Sequence, residues 1–217
     1  FGETGYQSVF LRTLTAQLVL GAVAGGLGSG ALFINMRVAL RGFVARQVLV
    51  NTREGPIAIA FDPRRARAAT TLVAGLVAVL LGLFASSHWL TWLTFWNGQP
   101  FRETDPVLGH DISYYVFRLP MLDALSGFLL TMVVLSAVAA AAIYVLTGSL
   151  ARRSDYGVAV SGAARRHLAV LGGVCFVVLG FAAYLDVPQV LHSPGGVVHG
   201  ATNVDVAVRI PALRVLT

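Results

Sequence analysis

Uncharged residues run along this chain in four long blocks, and the charged ones gather between them. No Asp, Glu or Arg interrupts 13–36, 68–101, 124–151 or 167–185. A helix rises 1.5 Å per residue, so about 20 apolar residues cross the hydrocarbon of a bilayer. The last block has 19 residues and is predicted to cross with little room for tilt. The second is longer than required, so 68–96 is taken as the span and the remainder emerges into the interface. Lipid cannot satisfy a broken backbone, which makes each span a helix. The pattern predicts an all-α integral membrane protein, a single membrane domain over 1–217. Its four transmembrane helices are 13–36, 68–96, 124–151 and 167–185, with an extracytoplasmic interfacial loop between the second and third.

The connection 42–67 is the least lipid-like part. Its β-prone runs "QVLVN" and "PIAIAF" flank "TREG". A small hairpin and a surface-lying segment are the two readings.

Arginine placement sets direction. The 37–67 connection holds seven arginines against Glu54 and Asp62, and 152–166 holds four against Asp155. The 97–123 connection holds Arg102 and Arg118 against four acids, and 186–209 is also net negative. The positive-inside rule therefore puts 37–67 and 152–166 in the cytoplasm. The N-terminal residues, the 97–123 loop and the tail after 186 fall outside, across a bacterial inner (cytoplasmic) membrane. Trp89, Trp92 and Trp96 recur at i, i+3 and i+7 near the outer end of the second span, as a membrane-interface belt would.

Composition agrees. Only 12% of the 217 residues are charged and 56% are hydrophobic, at a mean hydropathy of +0.75. A soluble domain carries about 25% charged residues. All 16 basic residues are arginine, which with the abundance of Ala, Gly and Val suggests a GC-rich bacterial genome. The basic balance reflects topology; no nucleic-acid partner is predicted, and anionic lipid is the ordinary contact for loop arginines. The single Cys175 lies in an apolar run and forms no disulfide within the chain. The chain opens on Phe1 and stops as another apolar stretch begins, and is expected to be part of a longer protein.

The spans are rich in small residues. Gly21 and Gly25 form one small-xxx-small pair, and Gly26 and Gly30 another; such spacing lets helix backbones approach closely. Gly172, Gly173 and Gly180 in the fourth span and the run Ala139–Ala142 in the third extend the theme. "GLGSGA" fits a dinucleotide fingerprint but lies in a hydrophobic helix, with no acidic residue near position 50 to hold a ribose. Gln17 is the candidate for an interhelical hydrogen bond, whereas Asn35, at the cytoplasmic end, is expected to be hydrated. No acid or arginine sits deep within a span, which counts against ion pumps and proton-coupled carriers.

The stretch "DPVLGHDISYYVFRLP", Asp105 to Pro120, concentrates polar chemistry. Asp105, His110 and Asp111 are metal-ligand types, and His192, His199 and Asp205 share their side of the membrane. The capping reading explains more residues. Asp105–Pro106 starts a helical turn, Gly109 ends it, and Asp111 caps a second short helix. That helix would lay Ile112, Tyr115 and Leu119 in the interface, and Pro120 would permit the bend into the third span. No metal site is predicted. His88 and His167 could each ligate a haem or chlorophyll-type metal from a helix, but neither has a partner histidine at a telling spacing, so no cofactor is predicted either. "HSPGGVVHG", His192 to Gly200, reads as a loop with a tight turn at Pro194-Gly195-Gly196.

These residues also carry a resemblance. "DPVLGHDISYYVFRLP" looks like the signature of uncharacterised protein family 0182, a family of large bacterial multi-pass membrane proteins. The family pattern is roughly DP-x-F-G-x-D-x-x-F-Y-x-F-x-L-P. "FGETGYQSVFLRTL" is similar to its early F-x-x-x-G-Y-x-x-V-F element, and "GVVHGATNVDVAVRIPALRVL" to its G-A-x-Y-T-D-V-x-x-x-L-P element. Leu108 and Tyr114 stand where Phe is usual, and Asn203–Val204 where Tyr-Thr is usual. The resemblance implies further spans and a large extracytoplasmic domain in a longer protein. It implies no reaction, substrate or cofactor, and so no catalytic residues.

The chain holds no G-x-S-x-G, Walker loop, C-x-x-C or H-E-x-x-H. The leading functional reading is a non-catalytic accessory or scaffold subunit, with bound lipid, packed among other integral membrane subunits. A permease or lipid-handling component whose working site lies elsewhere is the alternative, and a pigment- or haem-binding subunit the third.

Overall fold

The computed structural model describes residues 7–41, 47–52, 55–60, 62–153, 157–192 and 200–216. Its long helices are α1 (Gln7–Leu40), α2 (Pro63–Ser87), α4 (Leu119–Leu146) and α5 (Gly162–Gln189). Two shorter ones, α3 (Trp89–Asn97) and α6 (Ile210–Leu216), join them. Four helical stretches are long and apolar enough to cross a membrane: Gln7–Leu40, Arg64–Ser87, Tyr114–Leu146 and Gly162–Gln189. Their outer faces are unusually apolar. Leu72 is 75% exposed and Phe176 76%, positions that water would penalise and lipid would not.

The charge gaps located the helices but not their ends. α5 begins at Gly162, ahead of Arg165 and Arg166, and has 28 residues, about 42 Å. The expectation of a span with little room for tilt is therefore corrected. Charged residues end an apolar block without ending a helix, because backbone hydrogen bonding is indifferent to whether a side chain sits in water. Capping sets the ends instead. The Asp62 carboxylate accepts the Arg64 N–H at 2.9 Å, with Pro63 opening α2. The Ser161 hydroxyl accepts the Ala164 N–H at 3.2 Å at the start of α5. Gly148, at φ +68, closes the turn after α4, so the third helix stops at Leu146 rather than 151.

Both connections that carry the arginines contain antiparallel β-hairpins, so the all-α description is amended. β1 (Gln47–Thr52) pairs with β2 (Gly55–Ala60) from Gln47↔Ala60 to Thr52↔Gly55. This is the hairpin reading of 42–67. β3 (Leu150–Arg153) pairs with β4 (Gly157–Val160) from Leu150↔Val160 to Arg153↔Gly157, with no counterpart in the sequence reading. Helix, hairpin, helix thus occurs twice in chain order.

Two junctions depart from a plain helix. The second apolar block breaks at His88 (φ −92, ψ 19), so all three tryptophans belong to α3 rather than to the end of α2. Before α4, Tyr114–Arg118 forms a π turn, in which the Leu119 N–H reaches Tyr114 O. Pro120 follows at once. It has no N–H, and its ring would crowd the carbonyl four residues earlier in a regular helix. The widened turn absorbs it, and the helical stretch is continuous from Tyr114 to Leu146.

The residues cluster into two compact units. One comprises Leu18–Ser86 and Met132–Val174. Its core is Leu32, Met36, Ala39, Ala140, Ile143, Tyr144, Ala164 and Leu171. Ala140 and Ala164 are fully buried, which fits small residues at close helix contacts. The other unit comprises Phe1–Gln17, Ser87–Thr131 and Cys175–Thr217. It holds one cluster around Tyr115, Leu119 and Leu185 and another around Val187, Val190 and Ile210. Tyr115 and Leu119 are thus buried in protein at 6% and 5% exposure, not laid in the interface; only Ile112, at 37%, lies open.

Candidate functional site

The loop between α3 and the π turn is organised by two carboxylates. Asp105 accepts the Leu108 N–H at 2.6 Å, the Val107 N–H at 3.2 Å and the Tyr115 phenol at 3.0 Å. Its carbonyl takes the Gly109 N–H at 2.9 Å, and Gly109 leaves the turn at φ +74, where a glycine is needed. Asp111 accepts the Arg102 N–H at 2.8 Å, the Phe101 N–H at 3.2 Å and the Ser113 N–H at 2.8 Å. Arg102 sits at φ 62, a conformation a side-chain-bearing residue adopts at a cost, and the Asp111 clasp holds it there. The pair Asp105 N–H to His110 O (2.8 Å) and Ile112 N–H to Glu103 O (2.9 Å) closes the loop on itself. Gly98 lies under Phe117, where a Cβ would come within 2.7 Å of the ring.

This arrangement fixes the acids as anions. Burial works against the charge of Asp105, but the Leu108 and Val107 amides and the Tyr115 phenol outweigh it and hold its pKa below the ordinary value. For Asp111 the Ser113 hydroxyl and amide dominate, joined by the Phe101 and Arg102 amides, and the pKa falls to about 2.

As ligands the same groups are already engaged. Asp105 and Asp111 face backbone donors, and the His110 ring lies 4.8 Å from that of Tyr114. Asp205 accepts the Thr202 N–H at 2.9 Å and hydroxyl at 2.8 Å, and pairs with Arg209 at 3.6 Å. Among the described residues no three of His, Cys, Asp and Glu converge as a metal would require. His199, the turn at Pro194-Gly195-Gly196 and the start of the F-x-x-x-G-Y element lie outside the described residues, and so does the side chain of His192.

The two histidines weighed as possible haem or pigment ligands are placed differently. His88 sits at the break between α2 and α3, its Nδ1 3.2 Å from the Ser87 hydroxyl. His167 lies in a polar chain linking α1, α4 and α5. Its Nε2 is 2.9 Å from Asn35 Oδ1 and its Nδ1 is 3.0 Å from the Tyr144 hydroxyl. Asn35 Nδ2 in turn donates to Ala31 O at 2.8 Å. The directions are mutually consistent if the imidazole is neutral, donating from Nε2 and accepting from Tyr144 at Nδ1. A haem or pigment metal would need one ring nitrogen back. The interhelical hydrogen bond expected at Gln17 is therefore found at Asn35, which bonds across helices rather than being left to water. Its polarity inside an apolar block was the available signal.

The glycines divide. A Cβ on Gly25 would stand 2.6 Å from Ala78 O, and one on Gly21 3.0 Å from Gly82 O, so α1 and α2 meet backbone to backbone. A Cβ on Gly26 or Gly30 would meet nothing within 4 Å among the described residues, and the same holds for Gly172, Gly173 and Gly180. Gly82, the partner on α2, was not singled out in the sequence. Trp92 and Trp96 meet edge to face at 5.7 Å on α3, and Trp96 is 66% exposed.

Comparison with known proteins gives a consistent result. The model of the Uncharacterised protein family (UPF0182) matches residues 1–217. A UPF0182 protein of Geobacter sulfurreducens is 33% identical over 226 residues, covering 100% of this chain and 25% of the relative. One from Pelobacter propionicus is 36% identical over 221 residues, covering 100% and 24%. One from Cupriavidus necator is 34% identical over 218 residues, covering 98% and 23%. The chain thus spans about a quarter of the length of these curated relatives. No solved structure matches. A family-model match that spans residues 1–217 leaves one conclusion: the chain belongs to the Uncharacterised protein family UPF0182.

Proposed function

We propose that this chain is a non-catalytic, membrane-embedded packing module, an accessory or scaffold portion that docks further membrane helices. The observation that carries the reading is the division of the α1 glycines. Gly21 and Gly25 are consumed by α2, while Gly26 and Gly30 leave a second close-approach face open. Without a hydrophobic driving force between helices in lipid, such faces are how membrane helices associate. The open glycines of α5 offer a further face of the same kind. The occupants are helices of the remaining length of the protein or of other integral subunits.

In this reading the chain sits in the bacterial cytoplasmic membrane. The two arginine-bearing hairpins face the cytoplasm, and the Asp105–Asp111 loop faces the other side, beside the α3 tryptophans. The arginine distribution supports that direction.

Cysteines placed at Gly26 and Gly30 in the full-length protein test the packing. Crosslinking in native membranes should trap a second membrane helix at both positions. Crosslinking that captures only lipid, or the same yield at the lipid-facing control Leu72→Cys, would remove the basis for a docking face.

A further inference from the structure

Where α1 leaves its apolar run, a cleft of about 480 Å³ opens against the start of α2. Arg37 and Arg41 of α1 and Arg67 of α2 line it, together with Phe33, Ile34 and Val38. Three arginines thus line one space, and among the described residues none has a carboxylate partner within ion-pair distance. Arg37 is held by its own helix: its guanidinium carbon lies 4.6 Å over the Phe33 ring. Its Nε is buried with no hydrogen-bond acceptor among the described residues. A buried, charged donor without an acceptor is an unusual thing for a protein to keep, because its lost hydration is not replaced.

We infer that this cleft is a binding site for one anionic phospholipid. The phosphate is held by the unpaired positive charge of the three lining arginines, since guanidinium and phosphate match in charge and in paired hydrogen-bond geometry. The acyl chains run along the Phe33 and Ile34 side; Ile34 is 62% exposed and lies one turn before Arg37, where the apolar run ends. The arrangement suits a lipid better than a free anion: charge at the mouth, hydrocarbon walls below, at the end of a membrane-length helix. General attraction of loop arginines to an anionic leaflet would not need a buried donor or a shaped apolar wall. The inference shares with the packing reading only the placement of α1 in a bilayer. The Gly26 and Gly30 face carries no part of it.

The test uses the full-length protein, extracted in mild detergent and studied by native mass spectrometry. Delipidated protein is offered phosphatidylglycerol, phosphatidylcholine or inorganic phosphate. It should retain one phosphatidylglycerol, not phosphatidylcholine, and excess phosphate should not displace the lipid. Arg37→Gln and Arg67→Gln should each weaken retention roughly tenfold, the loss expected for one charge-assisted hydrogen bond. Arg102→Gln, in the α3–π-turn loop, should not. Arg67 is exposed, so its variant tests the site even if Arg37→Gln fails to fold. Equal retention of phosphatidylcholine, retention unchanged in Arg67→Gln, or displacement by phosphate alone would each overturn the inference. Crosslinking at Gly26, measured in the same Arg67→Gln protein, reports separately on the packing reading.

Discussion

At the residue scale, the working parts of this chain are polar side chains that satisfy backbone. Asp111 is the clearest. Its carboxylate, with a pKa of about 2 against 3.8 unperturbed, accepts three amides and keeps Arg102 in its left-handed conformation. A depressed carboxylate contributes stability that is fully present above 3.8 and is lost as pH falls through about 2. Thermal unfolding in detergent should show wild type above Asp111→Asn at pH 5 and the two converging as pH drops toward that value. A constant gap down to low pH would mean that the carboxylate charge is not what holds the loop. The His167 chain gives a second prediction. Asn35→Leu leaves the Nε2–H of His167 without its acceptor and should cost about 1–3 kcal/mol. His167→Phe should cost a similar amount, and the double variant less than the sum, because the two groups serve each other. Additive losses in denaturant unfolding would deny the coupling.

At the element scale, close approach decides what each helix tolerates. Gly25→Val drives a side chain into the Ala78 carbonyl and should destabilise by about 1–3 kcal/mol, read by thermal unfolding. Gly26→Val, one residue on, meets nothing within 4 Å and should leave stability unchanged while reducing association with other membrane helices. Equal destabilisation by both would remove the distinction between a used and an open face. The sequence showed where the helices are, because charge avoids hydrocarbon over 13–36 or 124–151 regardless of detail. It did not show where they end: Ser161, Asp62 and Gly148 set the ends by capping, and a cap occupies one or two residues rather than a period. The 47–60 hairpin was legible from two apolar runs, whereas β3 and β4 have only four residues each, Arg152 and Arg153 among them, and read as a charged loop. The π turn at Tyr114–Arg118 was illegible because five residues are too few to separate its wider pitch from an ordinary helix. In the Asp105–Asp111 loop the capping roles were readable from residue type, but Tyr115 as a ligand of Asp105 needed the turn of the chain that brings them together.

At the scale of the whole molecule, the account rests on four helices crossing a bilayer in alternating directions. Their apolar faces carry no direction of their own; the proposed direction comes from arginine, including Arg37, Arg41, Arg64, Arg65 and Arg67 on one connection and Arg152, Arg153, Arg165 and Arg166 on another. Replacing Cys175 with Ala removes the single cysteine of these 217 residues, and any cysteine in the rest of the full-length protein is replaced likewise. Into it Thr52→Cys places a thiol in the first hairpin, and Glu103→Cys one in the loop held by Asp111. Labelling with a membrane-impermeant maleimide in intact spheroplasts should mark Glu103→Cys at once, and Thr52→Cys only after the membrane is opened. Both positions labelling from the same side would contradict the account.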